Sequence, residues 1–199
     1  MSTSPLFMLA APCQHSEDIK KSRFLAQAAP VQSPDEALAF VRKVSDPAAT
    51  HNCWAYRIGQ DYRFNDDGEP GGTAGRPILQ AIEGQGIDLA VVVVTRWYGG
   101  IKLGAGGLVR AYGGTAAECL RVAARVPIIV SVRMQITCEF AEQALLKARL
   151  RELGADVESE SFEADGVTLV FRMPQDVATA ASARVVDITR GRVEPRWVD

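Results

Sequence analysis

The sequence predicts an α+β protein in two parts, an α/β sandwich followed by a smaller β-α-β-β-α-β unit. Three observations carry this. "DLAVVVVTRWY" (residues 88–98) is a continuous apolar run, the mark of a strand covered on both faces, and helical patterns flank it. After Pro127 apolar and polar residues alternate strictly, a rhythm not met earlier in the chain. From there to the end the pattern spells strand, helix, strand, strand, helix, strand. The domains are therefore expected at 1–126 and 127–199, with almost no linker.

Each element has a local reason. Phe7, Leu9, Ala11 and Cys13 share a face by twos, and Phe24, Ala26 and Ala28 do the same after "SEDIKKS", so an opening hairpin is expected. "SPDEALAFVRKV" starts a helix with Ser33 as N-cap, Pro34 at the first position and Glu36 completing a capping box. Ala37, Phe40, Val41 and Val44 form its apolar stripe. "NCWAYRIG" and "YRFNDDGEPGG" read as a second hairpin running into an acidic, glycine-rich turn. A helix over 76–83 offers Ile78, Leu79 and Ile82, and the 88–98 strand follows, in the middle of the sheet.

Leu108, Tyr112, Ala116, Cys119 and Ala123 then recur at helical spacing to about residue 125, with Gly113 and Gly114 interrupting where the helix presses on the sheet. In the second part, Ile128, Val130, Val132, Met134, Ile136 and Cys138 predict one face of a long strand. A helix over 141–153 carries Leu146, Leu150 and Leu153 and stops at Gly154. "ADG" (164–166) marks a hairpin, Val167, Leu169, Phe171 and Met173 alternate after it, and a helix over 175–185 precedes a last strand ending near Trp197. That order is ferredoxin-like.

Composition narrows the function. With 199 residues, 47% of them hydrophobic, the chain packs rather than remaining disordered. A net charge of −2 argues against polyanion binding over the whole surface and leaves room for a local basic patch. Four cysteines without a CxxC pair read as reduced thiols of a cytoplasmic protein. The first twenty residues lack the basic lead of a secretory signal. The longest apolar run, 89–94, is far short of the ~20 residues that cross a bilayer, so no membrane partner is expected.

The residues that invite chemistry cluster in two stretches. "TRWYGGIKLGAGGLVRAYGG" (95–114) leaves a strand and opens a helix, where backbone N–H groups and the helix dipole favour an anion. It is neither a Rossmann fingerprint nor a Walker loop. Three readings stay open: a structural elbow, a polyanion contact through Arg96, Lys102 and Arg110, and a nucleotide-using site. Trp97 and Tyr98 are candidates to stack on bases. The nucleic-acid or anion site thus comprises Arg96, Trp97, Tyr98, Gly99, Gly100, Lys102, Gly104 and Arg110.

In the second stretch, Asp66, Asp67 and Glu69 offer oxygen ligands for magnesium. The alternatives are a solvated turn or an ion pair with Arg96. His51 and Cys53, two apart, share a strand face, but no orienting group for a nucleophile is evident. Arg190, Arg192 and Arg196, evenly spaced in the last strand, offer a basic sheet face to RNA, against a solvated outer face.

"DDGEPGGTAGRPIL" (66–79) followed by "VVVTRWYGGIKLGAGGLVRAY" (92–112), with "KKSRFLAQAAPV" (20–31) before them, strongly resembles the IMPACT family in its bacterial YigZ-like form. The resemblance spans about residues 6–125, and the tail is similar to the ferredoxin-like domain of elongation factor G. It implies an N-terminal domain like ribosomal protein S5 domain 2. Eukaryotic members regulate translation by competing for the activator of a stress kinase, using an additional RWD domain that these 199 residues do not contain, so that partner does not carry over.

The expectation is a non-catalytic cytoplasmic accessory protein that binds RNA or the ribosome and modulates translation, with no cofactor and no catalytic residue. An enzyme for a phosphorylated substrate, using the glycine-rich joint and the acidic turn, and a protein-interaction module in translation control are the alternatives.

Overall fold

The structure is a computed structural model that describes residues 6–198; the reading of the leader falls in part on residues 1–5, outside the described residues. The chain divides after Ile128 into two compact units.

In the first unit β1 (Phe7–Leu9), β2 (Cys13–Ile19) and β3 (Ser22–Pro30) lead to α1 (Pro34–Val44). β4 (His51–Ile58), β5 (Asp61–Asn65) and α2 (Gly75–Gly84) come next. β6 (Ala90–Trp97), α3 (Ala105–Val122) and β7 (Arg125–Pro127) complete it. Five strands form an antiparallel sheet in the order β2-β3-β6-β4-β5. The apolar run becomes the central strand, and its first seven residues are buried because both faces are covered. Ala26, Ala28, Val92 and Val94 pack under Ile78 and Ile82 of α2 and Leu108, Ala116 and Leu120 of α3. Ala29, Val31, Trp54, Tyr56, Val91 and Val93 form the opposite face, covered by Ala37, with Phe40, Val41 and Val44 packed partly against it.

α1 starts where its sequence says. Ser33 Oγ accepts the Glu36 N–H at 3.3 Å, and the Glu36 carboxylate reaches back one residue further than a standard box, accepting the Gln32 N–H at 2.8 Å.

The opening hairpin forms differently from the expectation. Pro12 has no N–H to give a ladder, and the strand is interrupted at residues 10–12. β1 pairs instead with β7, 118 residues on from Phe7 at Arg125, in the register Phe7↔Pro127, Met8↔Val126, Leu9↔Arg125. β2 continues through "SEDI", and the turn to β3 is only Lys20 and Lys21, both at positive φ (47° and 66°), the twist a two-residue hairpin requires. Gly113 also departs from expectation: a Cβ there would meet Pro77 of α2 at 3.4 Å, so its close approach is to a helix, not to the sheet.

The second unit contains β8 (Ser131–Cys138), α4 (Phe140–Arg151), β9 (Asp156–Glu163) and β10 (Gly166–Pro174). A 3-10 turn (Gln175–Val177), α5 (Ala178–Ile188) and β11 (Arg196–Val198) follow. The antiparallel sheet runs β11-β8-β10-β9. Met134, Ile136, Val167, Leu169, Phe171 and Met173 face Leu146, Leu150, Ala181 and Val185. Gly154, at φ 80°, closes α4 as a left-handed cap.

Two expectations are corrected here. The long strand starts at Ser131 rather than at Ile128, because the Ile128 N–H donates to the Leu6 carbonyl and residues 125–127 are spent on β1. The basic face of the last strand does not form either. Arg190 (φ 52°) and Gly191 (φ 78°) turn the chain after α5, so only Arg196 of the three arginines lies in β11. Arg192 pairs with Glu139 at 2.9 Å and with Glu142.

Candidate functional site

The end of β5 runs into the acidic turn, and the turn is tied down by its own side chains. Asp66 accepts backbone N–H groups from Gly72 (2.8 Å), Ala74 (3.0 Å) and Gly75 (2.8 Å). It thereby caps α2, whose N-cap residue, Ala74, has no side chain to do so. Asp67 accepts the Asn52 N–H at 2.5 Å.

Glu69 turns inward. Its Oε1 takes hydrogen bonds from Arg96 Nη1 and from the Tyr112 hydroxyl, each at 2.7 Å, and His51 Nε2 lies 3.7 Å away. His51 Nδ1 is 2.7 Å from the Asp67 carbonyl. The Arg96 guanidinium lies over the rings of Phe24 (5.6 Å) and Tyr98 (5.3 Å), and its Nη2 reaches Ser22 Oγ at 3.4 Å. Arg96 is only 5% exposed and its Nε has no hydrogen-bond partner. A cation so deep is held there by its carboxylate and by the π faces around it.

Burial disfavours the anionic forms of the neighbouring thiol and phenol. Burial pushes the Cys53 thiol and the Tyr112 phenol far above their ordinary ranges, and Cys53 donates to the Asp66 carbonyl at 3.0 Å. His51 and Cys53 do share the turn-facing side of β4, but burial and the hydrogen bond to the Asp66 carbonyl disfavour the thiolate that a nucleophile needs.

Above this layer runs the glycine-rich joint. Trp97 is engaged: its indole N–H donates to Asp46 at 3.1 Å and Arg23 lies 5.0 Å from the ring. Tyr98 is 44% exposed. At Gly99 any side chain is excluded, since a Cβ would stand 1.8 Å from the Lys21 carbonyl oxygen, and its N–H donates to Ser22 Oγ at 3.2 Å. Gly104, at φ 73°, swings the chain into α3 and offers no capping side chain, so the first-turn N–H groups stay available. Gly100, Lys102, Gly104 and Arg110 are exposed. A cleft of about 420 Å³ opens between β2 and α3, lined by Glu17, Ile19, Lys20, Leu103, Gly107 and Arg110 among others.

The residues singled out from the sequence thus fall into two layers. Tyr98, Gly99, Gly100, Lys102, Gly104 and Arg110 lie at the surface of the joint, and Arg96 lies beneath it with Glu69. Of the three readings of the acidic turn, the ion pair with Arg96 is the one Glu69 makes. Asp66, Asp67 and Glu69 all have their carboxylates engaged by donors of the chain itself. Among the described residues no group of three or more His, Cys, Asp and Glu side chains is placed to hold a metal ion. Sequence reasoning missed Tyr112 and Ser22 as partners of this network, and Lys20 as a lining residue. Tyr112 showed only as one more position in an apolar helical stripe.

The sequence matches the Impact N-terminal domain over residues 20–120 and a domain of unknown function, DUF1949, over residues 136–192. The chain belongs to the IMPACT family. Within that family, it is 48% identical over 182 residues to an IMPACT family member of Thermus thermophilus, covering 91% of this chain and 99% of the other. It is 36% identical over 192 residues to IMPACT family member YigZ of Escherichia coli, covering 93% and 94%. A crystal structure of a protein described only as hypothetical superposes with a TM-score of 0.64 at 34% identity, covering 100% of this IMPACT family chain and 99% of that one.

Proposed function

We propose that this chain is a non-catalytic cytoplasmic accessory protein that binds RNA or the ribosome through the joint between β6 and α3 and modulates translation. The observation that carries the reading is the uncapped start of α3 beside exposed Lys102 and Arg110, because open N–H groups and cations together favour phosphate. Tyr98 supplies an exposed ring for stacking. Arg96 holds that ring from beneath, 5.3 Å from its centroid. IMPACT family membership points the same way, toward translation. We read the first unit as a ribosomal protein S5 domain 2-like sandwich. The second is read as ferredoxin-like, supported by its strand order β11-β8-β10-β9.

Few cations contribute, so few counterions are released and the salt dependence is shallow. The test is sedimentation of the protein with ribosomes at low and moderate salt, with and without RNase. Co-migration that weakens with salt or RNase, and that Lys102→Ala with Arg110→Ala abolishes in a folded protein, is the expected result. Absence from every ribosomal fraction at low salt overturns the reading.

A further inference from the structure

The first unit also holds a pair of facing thiols, on the β2 and α3 side. Cys13, half-buried at the start of β2, and Cys119, buried in α3, are 106 residues apart in sequence, and their Sγ atoms stand 3.7 Å apart. Cys13 Sγ also lies 3.8 Å from the Cys119 carbonyl oxygen, and Cys119 Sγ 3.8 Å from that of Ala26, so the pair is fixed where β2, β3 and α3 meet.

The two thiols are not equivalent. A hydrogen bond from Cys119 stabilises the Cys13 thiolate and lowers its pKa to about 7, against desolvation. The same bond, together with burial, pushes Cys119 upward. A half-buried, ionisable thiol beside a fully buried partner is the arrangement of an attacking and a resolving cysteine. Cys53 is bound to the Asp66 carbonyl, and Cys138 is in the second unit, raised by desolvation.

We propose that Cys13 and Cys119 are a reversible oxidation site, forming an intramolecular disulfide when the protein meets a hydroperoxide. The Cys13 thiolate attacks the terminal peroxide oxygen. The O–O bond breaks, sulfur is oxidised to a sulfenic acid, and the remaining alkoxide or hydroxide leaves and takes up a proton. The Cys119 sulfur then attacks Cys13 Sγ, an S–S bond forms, and the sulfenic oxygen leaves as water with the Cys119 proton. The sulfurs must approach by roughly 1.7 Å to reach disulfide length. The bond would tie β2 to α3, the two elements that wall the cleft carrying Lys20 and Arg110. The site stands independently of RNA binding.

The test is hydrogen peroxide titration of the reduced, full-length protein, read by intact mass, free-thiol count after denaturation, and mapping of cross-linked peptides. The expected product is a monomer about 2 Da lighter. It has two free thiols instead of four and a single 13–119 cross-link that dithiothreitol reverses. Cys13→Ser removes the cross-link, and in Cys119→Ala, which also removes the hydrogen bond that favours the Cys13 thiolate, oxidation is slower and stops at a Cys13 sulfenic acid that dimedone traps. Survival of all four thiols, a link between any other pair, or oxidation of Cys13 beyond sulfenic acid with Cys119 still free overturns the proposal. Because these outcomes are read on the native sequence, they hold even where a variant fails to fold.

Discussion

Glu69→Gln isolates the charge that keeps Arg96 in the core. The amide oxygen still accepts from Tyr112, but nothing neutralises a guanidinium whose side chain is 6% exposed and whose Nε already lacks a partner. Breaking a buried pair by removing one partner costs about 3–5 kcal/mol. The retained acceptor places this change near 3 kcal/mol, a large share of the ~5–15 kcal/mol that stabilises a domain. With a urea slope of ~2 kcal/mol/M the midpoint falls by about 1.5 M.

The assay must see the first unit alone. Trp197 is therefore replaced by Phe, leaving Trp54 and Trp97 as the fluorescent reporters of urea unfolding. A companion protein with Glu69→Leu and Arg96→Met removes both charges, and it is expected to lose less than the single change does. A midpoint within about 0.5 M of the parent for Glu69→Gln, or a double variant worse than the single, refutes the account of Arg96 as a cation held by its carboxylate.

Gly99→Ala forces the Lys21 carbonyl to move, since the new Cβ would sit 1.8 Å from it. A loss of about 3 kcal/mol, or roughly 10 °C in the melting midpoint of the first unit, is expected by differential scanning calorimetry; an unchanged midpoint contradicts the close approach. In the reduced protein the Cys13 thiolate, the reactive form, is favoured by its lowered pKa. Its alkylation by iodoacetamide, followed by peptide mass spectrometry, should rise with pH with a midpoint near 7 and level off above about pH 8. A rise continuing through pH 8.5 contradicts the hydrogen bond from Cys119.

What the sequence disclosed was local. The cap of α1 is written in Ser33, Pro34 and Glu36, three residues within four positions, and the covered strand in an unbroken apolar run. Pairings across distance left no such trace. β1 and β7 are three-residue strands; the alternation at Phe7 and Leu9 suggests a strand but not its partner, which rests on the ends of the unit meeting in space. Glu69, Arg96 and Tyr112 come from the acidic turn, β6 and α3, the last two 27 and 43 residues on from Glu69. The ion pair was conceivable from charge alone, while the phenol that completes it was indistinguishable from a core aromatic. In the last strand the even spacing of Arg190, Arg192 and Arg196 suggested a face, but the positive φ angles at 190 and 191 put the first two in a turn.

The ladder between β1 and β7 gives the first unit a clasp that closes last during synthesis. Leu9, fully buried, leaves the ribosome well before the strand that holds it in register, which emerges more than a hundred residues later. Until residue 127 is free of the exit tunnel the nascent sheet has its interior strands but not its seal. By then translation of the second unit is already under way. A fragment trimmed to residues 20–120 discards both halves of the clasp together with β2, and uncovers the pocket that Leu9 fills; one ending at residue 128 keeps the closure intact.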